Sequence, residues 1–460
     1  MPSRLDVDYL VVGAGAMGMG FVDALIDHAD VRVAMIDRRD GVGGHWRNAY
    51  PFVRLHQSST FYGVASRVLG GGRIQTTGPE IGLHERADQP SIISYYEQVL
   101  AEWMVGQGRV EFFPRCDYVG GRTFVSRDSH ERFEVPQRCR VVDARYLAPD
   151  IPAETPPKFD VSDGVRVVPV NDLPAWEGTS SQYIVVGSGK TATDACIWLL
   201  SRGIDPDAIC WVRPRDPWML NRALIQPDPA IYLGMVAEMM RLAAEATSLP
   251  ELFGQLEDAG IMLRIDRSVT PTMAKAPTLG TWELDRLRSI TQVVRRGHLR
   301  VARRGRLDLV EGSVTIADDA LVVHCAADGL KNPLLVPIWG PDSITLQPVR
   351  AGFPCFGAAL TGYVEATRVD DADKNGLCSP SSYGNSLADW ARMNVRGARN
   401  TAAFTAEPDI KQWTDRIAVN PARIPPEHPG SPGLADAVDR LGHYLGRGIA
   451  RLADLSGHPA

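Results

Sequence analysis

Two short glycine runs constrain this fold more than anything else in the 460 residues. Residues 9–28 read YLVVGAGAMGMGFVDALIDH, and residues 183–203 read YIVVGSGKTATDACIWLLSRG. Each has four residues suited to a buried strand, a tight glycine turn, and then an amphipathic run. Gly13, Gly15 and Gly18 fill Gly-x-Gly-x-x-Gly; Gly187, Gly189 and Ala192 fill the same pattern with alanine last. In such a turn the first glycine reverses the chain and the second lets a pyrophosphate approach the backbone. The third position lets helix and strand pack closely, and the helix N terminus faces the phosphates with its positive dipole end. The run GSGKT also resembles the tail of a phosphate-binding P-loop. That loop needs a further glycine where this chain has Ile184, inside an apolar strand, so the alternative fails. The chain is expected to hold two dinucleotide sites.

The residues just after each turn separate the two nucleotides. The strand VRVAMID ends at Asp37, 22 residues after Gly15, where a carboxylate can bond the ribose hydroxyls of an adenosine, with Arg38 beside it. After the second turn the strand AICWV ends instead in Arg213-Pro214-Arg215. Arginine suits a 2′-phosphate, so the second nucleotide is expected to be NADPH, with Arg213 and Arg215 on that phosphate. Lys190 and Thr191, just past Gly189, are placed beside its other phosphates. A net charge of −6 and a pI near 6.0 give no footprint for nucleic acid or an anionic membrane. The arginines between 295 and 306 read as a solvated face or a second support for nucleotide phosphate. No apolar run approaches a membrane span, and YLVV is too short for a signal peptide. Seven scattered cysteines without a C-x-x-C read as reduced thiols in a cytoplasmic protein.

The stretch GVGGHWRNAYPFVRLHQSSTFYGV (41–64) comes soon after the first acid. Its Gly43-Gly44-x-Trp46 and Tyr50-Pro51-x-x-Arg54 resemble the flavin-binding stretch of the class B flavoprotein monooxygenases. Those comprise flavin-containing monooxygenases, Baeyer–Villiger monooxygenases and N-hydroxylases. The resemblance spans most of the chain to about 400, including a D-x-x-x-V-x-C-A-type strand at 319–327. It implies an α/β fold of two Rossmann-like domains, an FAD-binding domain with an inserted NADPH-binding domain, plus a helical insertion. The expected boundaries are 1–164 and 316–405 for the FAD domain and 165–315 for the NADPH domain. The helical insertion covers about 226–290, and 406–460 form a C-terminal helical tail. Strands RVEFF, TFVSR and RFEVP are expected to form hairpins before the second domain.

The resemblance further implies that FAD, held by the first fingerprint with Gly44, His45, Trp46 and Gln57, takes a hydride from NADPH. A C4a-(hydro)peroxyflavin would then oxygenate a small organic substrate at nitrogen or sulfur with dioxygen. His56, Gln57 and Arg54 are the candidate catalytic residues. His56 stands two residues after Arg54, where ketone oxygenases of this group carry an acid. Its imidazole is expected near its neutral range, exchanging a proton with the flavin hydroperoxide. The ketone-oxygenase signature F-x-G-x-x-x-H-x-x-x-W is missing: VRVVPVNDLPAWEG supplies Trp176 but no histidine. Disulfide reductases share the order of the two nucleotide folds, but need a paired-cysteine centre near the flavin; residues 41–64 contain no cysteine. An NAD(P)H:acceptor oxidoreductase without oxygen insertion and a non-catalytic redox sensor stay open as alternatives. Segment 226–290 is expected to be a lid, residues 354–368 to pack beside the flavin, and a homodimer is a further expectation.

Overall fold

The computed structural model describes residues 2–327, 333–350 and 352–457. The chain first lays down β1 (Tyr9–Val12), α1 (Ala16–His28), β2 (Val33–Ile36), α2 (Gln89–Gln98), β3 (Val110–Phe113) and β4 (Arg140–Asp143). It continues through β5 (Arg166–Pro169), β6 (Tyr183–Val186), α3 (Lys190–Ser201), β7 (Ile209–Val212) and β8 (Pro217–Asn221). Next come α4 (Pro229–Glu245), α5 (Leu249–Asp258), β9 (Met273–Leu279), α6 (Thr281–Leu287), β10 (Val293–Val294) and β11 (Leu321–His324). The chain ends with β12 (Ser343–Thr345), α7 (Pro354–Thr367), α8 (Leu387–Thr405) and α9 (Pro432–Leu455).

Two five-stranded parallel sheets organise the molecule. The first has the order β12–β4–β1–β2–β3, the second β5–β11–β6–β7–β10. The fingerprint strands β1 and β6 sit at their centres, so Leu10, Val11, Ile184 and Val185 are fully buried. That central position explains their unbroken apolar sequence: a parallel strand covered on both faces has no polar side to show.

Two expectations change here. RVEFF is no hairpin strand: Val110–Phe113 pairs in parallel with β2 at the edge of the first sheet, while Thr123–Ser126 and Arg132–Glu134 do pair antiparallel. The strand Leu321–His324 lies between β5 and β6, so the second unit extends past 316, and the crossing back comes after His324. Residues 328–330, which end that run, lie outside the described residues. The small residues of 354–368 form α7, and they permit close contact with α1. A Cβ on Gly20 would touch Ala358, and one on Gly362 would run into the carbonyl of Phe21.

The helices α4, α5 and α6 and the three-stranded sheet built on β8 and β9 form a lobe that follows β7 in the chain. The C-terminal helix α9 lies along α4. Gly448 permits that approach, because a Cβ there would sit 2.6 Å from the carbonyl oxygen of Met240. Arg440 pairs with Glu238, and Arg451 Nε donates to the carbonyl of Ala246 at 2.9 Å. Phe253 of α5 meets Trp218 and Trp390, joining the lobe to α8. Among the described residues no helix is long and apolar enough to cross a membrane.

Candidate nucleotide and active site

The first turn is built on backbone geometry. Gly13 has φ +107°, where L side chains are strained, and a Cβ on Gly18 would collide with the Gly13 carbonyl. The double glycine beyond β2 docks onto this turn: Gly43 N donates to Ala14 O at 2.9 Å, and a Cβ on Gly44 would come within 2.9 Å of Gly15 Cα. Asp37 is buried at the end of β2 and accepts from Ala14 N at 2.8 Å and Arg39 N at 2.9 Å. Its neighbour Arg38 points outward to Glu154 at 3.1 Å.

Capping sets the two fingerprint helices apart from five others, although α7 also starts with neither a side-chain cap nor an acid in its first turn. Helices α2, α4, α5, α8 and α9 each start with a side chain bonded to the first turn: Asp88, Asp228, Ser248, Ser386 and Ser431. Helices α1 and α3 start at Gly15 and Gly189, with no side-chain cap and no acid in the first turn. Their first N–H groups and dipole ends are left for an anion. This arrangement fits a nucleotide pyrophosphate at each turn.

Beyond the first turn, Trp46 is buried and donates from Nε1 to the Tyr62 hydroxyl at 2.6 Å. Desolvation pushes the His45 imidazole down to about 4, so it is neutral and carries no base function that titrates near pH 7. Gln57 is buried alongside Ser58, Ser59 and Thr60. Arg54 is not brought to this group; its side chain is exposed, and its backbone bridges Asp88.

His56 requires a correction. Desolvation, reinforced by Lys190, Arg222 and Arg86, lowers its imidazole to about 3. Its Nδ1 accepts from Thr278 N at 3.5 Å, which leaves the ring proton on Nε2. The residue is therefore a fixed neutral hydrogen-bond donor, not an acid–base group poised near physiological pH.

At the second turn Gly187 has φ +149°, and a Cβ there would press on the backbone of Cys325 at 3.3 Å. The buried Ser188 hydroxyl has no hydrogen-bond partner. Lys190 folds back onto Asp194 and, at 3.4 Å, onto Glu283. Thr191 stands next to the Tyr50 hydroxyl, which donates to Asp194 Oδ2 at 2.7 Å. That contact ties the 41–64 loop to α3.

The two arginines after β7 part company. Arg215 is exposed, whereas Arg213 is 1% exposed, lies over the Trp211 ring at 4.3 Å and pairs with Asp216 at 2.7 Å. The remaining Arg213 donors, Nε and Nη1, are buried without partners. Arg213 lines a cavity of about 420 Å³ whose other polar residues are Asp266, Arg267, Arg288, Thr291 and Arg295, with Ile265, Leu287, Ile290 and Val293 beside them. Burial of an unpaired guanidinium N–H is costly, and an anion in this cavity would relieve it.

A charge chain that leaves no motif in the sequence runs between the two turns. Arg222, also 1% exposed, bonds Glu80 through Nη1, Glu283 through Nη2 at 2.6 Å, and the His56 carbonyl through Nε at 2.9 Å. Arg86 joins Glu80 at 2.8 Å and holds the Leu55 carbonyl at 2.8 Å. Burial pushes the carboxyls of Glu80 and Glu283 upward, but Arg86 and Arg222 at the first, and Lys190 and Arg222 at the second, hold both at about 2. The chain alternates in sign from Arg86 through Glu80, Arg222 and Glu283 to Lys190 and Asp194.

No family model matches the chain. The uncharacterized protein Rv2000 of Mycobacterium tuberculosis is 40% identical over 419 residues, which cover 90% of this chain and 78% of the relative. The uncharacterized protein Mb2023 of Mycobacterium bovis matches to the same extent. The chain belongs to the family of these mycobacterial proteins. Among solved structures, a polycyclic ketone monooxygenase from Thermothelomyces thermophila superposes with a TM-score of 0.53 at 12% identity, over 99% of this chain and 88% of that one. An ε-caprolactone-bound cyclohexanone monooxygenase gives 0.50 at 16% identity, over 88% and 98%. This chain thus shares the paired-Rossmann α/β fold of those two structures.

Proposed function

We propose that the chain is an FAD-containing monooxygenase that draws its electrons from NADPH. The observation that carries this reading is the pair of uncapped fingerprint helices, α1 and α3, joined by the Tyr50–Asp194 bond. Gly13, Gly15, Gly18, Asp37, Arg38, Gly44, His45, Trp46 and Gln57 would hold FAD. Gly187, Gly189, Thr191, Arg213 and Arg215 would hold NADPH, with the unpartnered Arg213 donors on its 2′-phosphate. When bound, the flavin supplies hydride acceptance and the two-electron reduction of dioxygen. In the net reaction NADPH, a proton, dioxygen and substrate yield NADP⁺, water and oxygenated substrate. The protein's own part is to orient both nucleotides, to exclude water with Trp46, Phe61 and the α4 lobe, and to present the His56 Nε2–H as a donor. The names of the fold neighbours support oxygenation as a class. The substrate is a small organic nucleophile oxygenated at nitrogen or sulfur. The seven buried free thiols suit a cytoplasmic setting.

Gly15→Ala provides the test. Its Cβ would meet only Gly44 Cα at 3.5 Å, an ordinary contact, and φ at Gly15 is −82°, so the variant folds. The same methyl would stand between the turn and a pyrophosphate. Purified wild-type protein is expected to be yellow, to bleach anaerobically with NADPH and to regain colour with oxygen. Gly15→Ala is expected to melt normally and be colourless. A colourless wild type sinks the flavin assignment, and a wild type that NADPH cannot bleach sinks the electron donor.

A further inference from the structure

The alternating charge chain does more than fill a domain junction. Its six members come from three places: Glu80 and Arg86 from the first unit, Lys190 and Asp194 from α3, Arg222 and Glu283 from the lobe. Three cations face three carboxylates, so the set is neutral as it stands. At one end Lys190 is the first residue after Gly189, beside the uncapped turn of α3. At the other end Arg222 and Arg86 grip the carbonyls of His56 and Leu55. The loop holding Gln57 and the His56 donor is thus fastened by backbone bonds to groups whose partners reach the second nucleotide turn.

We propose that Lys190 is a positioning residue that reports occupancy of the second turn to the 55–60 loop through Glu283 and Arg222. This rests on the reading of that turn as a nucleotide site. A pyrophosphate there competes for the Lys190 ammonium against Asp194 and Glu283. Phosphate–ammonium attraction is charge-assisted, and in this half-buried place it is screened little. Glu283 that loses Lys190 keeps one cationic partner, Arg222, and draws its guanidinium closer. The Arg222 bonds to neutral acceptors, the His56 carbonyl and the longer ones to Thr278, give way before its ion pairs, leaving the His56 carbonyl to the Thr278 hydroxyl alone. Nucleotide binding therefore loosens the loop next to the flavin turn and frees His56 to reorient. The coupling is energetic, carried by one shared arginine with two arrangements, and so is reciprocal.

Hydrogen exchange of the full-length protein with and without NADP⁺, with binding followed by calorimetry, tests this apart from turnover. In the wild type, NADP⁺ is expected to speed exchange of amides in 55–60 by about five-fold or more, the lower end of ordinary allosteric coupling. Glu283→Gln keeps a side-chain oxygen for the Gly280 N–H, bonded at 2.7 Å, but cannot pair with either cation. It is expected to bind NADP⁺ within a few-fold of wild type and to show no NADP⁺-dependent change in that segment. Lys190→Arg restores a cation and is expected to keep the response. Wild-type exchange that stays the same or slows on NADP⁺ binding overturns the proposal while leaving the nucleotide site standing. A full response in Glu283→Gln overturns it too. Failure of NADP⁺ to bind the wild type removes the site and the proposal together.

Discussion

At the scale of single residues, burial decides ionisation here more than sequence context does. His45 and His56 titrate at about 4 and about 3, against 6.5 for an ordinary histidine, because desolvation opposes their charged forms. Unfolded, each takes up a proton as pH falls below 6.5; folded, each refuses it until 4 or 3. Their contribution to stability is complete above pH 6.5 and is lost on acidification toward 3. Asp23 works in the opposite sense. It sits in α1, bonded to Ser66 N at 3.0 Å, and desolvation raises its carboxyl to about 6 from 3.8. The folded chain binds that proton first, so lowering the pH from 6 to 3.8 adds stability at this site. Thermal melts at pH 7 and pH 5 should show a smaller acid loss for His56→Gln than for wild type, and a larger one for Asp23→Asn. Three parallel slopes would mean that these side chains are far better hydrated than the fold implies.

At the scale of elements, helix contacts depend on missing side chains. Gly448→Leu would push a branched side chain into the Met240 carbonyl and wedge α9 off α4, at a cost of about 1–3 kcal/mol for overpacking. The midpoint of thermal unfolding should fall, while Gly446→Ala, two residues away with open space around it, should leave it unchanged. Equal melting of both variants would show that α9 does not rest on α4 through Gly448. The same scale shows what could be read from the chain beforehand. Gly13, Gly15, Gly18 and Gly187 announce themselves because a turn imposes a local spacing. The membership of Leu321–His324 in the second sheet does not, since a buried parallel strand looks alike in either sheet. Arg213 is legible only in part: its place at a strand end is readable, but its stacking on Trp211 and its bond to Asp216 depend on side-chain direction. The Arg222 pairs with Glu80 and Glu283 leave no local trace at all, because their partners lie far off in sequence. A neutral His56 results from its burial and, after that, from this hidden set of cations, so it too was out of reach.

At the scale of the whole molecule, the chain crosses from the first sheet to the second before β5 and returns after β11, then passes over the lobe as α9. The last helix is joined to the rest by residues 417–431, an irregular stretch rich in proline, with Glu427 exposed. Its attachment to α4 relies on surface contact and on Arg440 and Arg451, not on that tether. Covalent continuity and cohesion are therefore separable at this point. A glutamyl protease that nicks the chain after Glu427 should yield two bands on a denaturing gel yet a single peak at the intact size on a native column. Release of the small fragment under native conditions would show that the tether is what keeps the helix in place. A particle that survives the nick makes residues 417–431 a natural seam, where a tag or a second domain can be spliced in without disturbing either nucleotide turn.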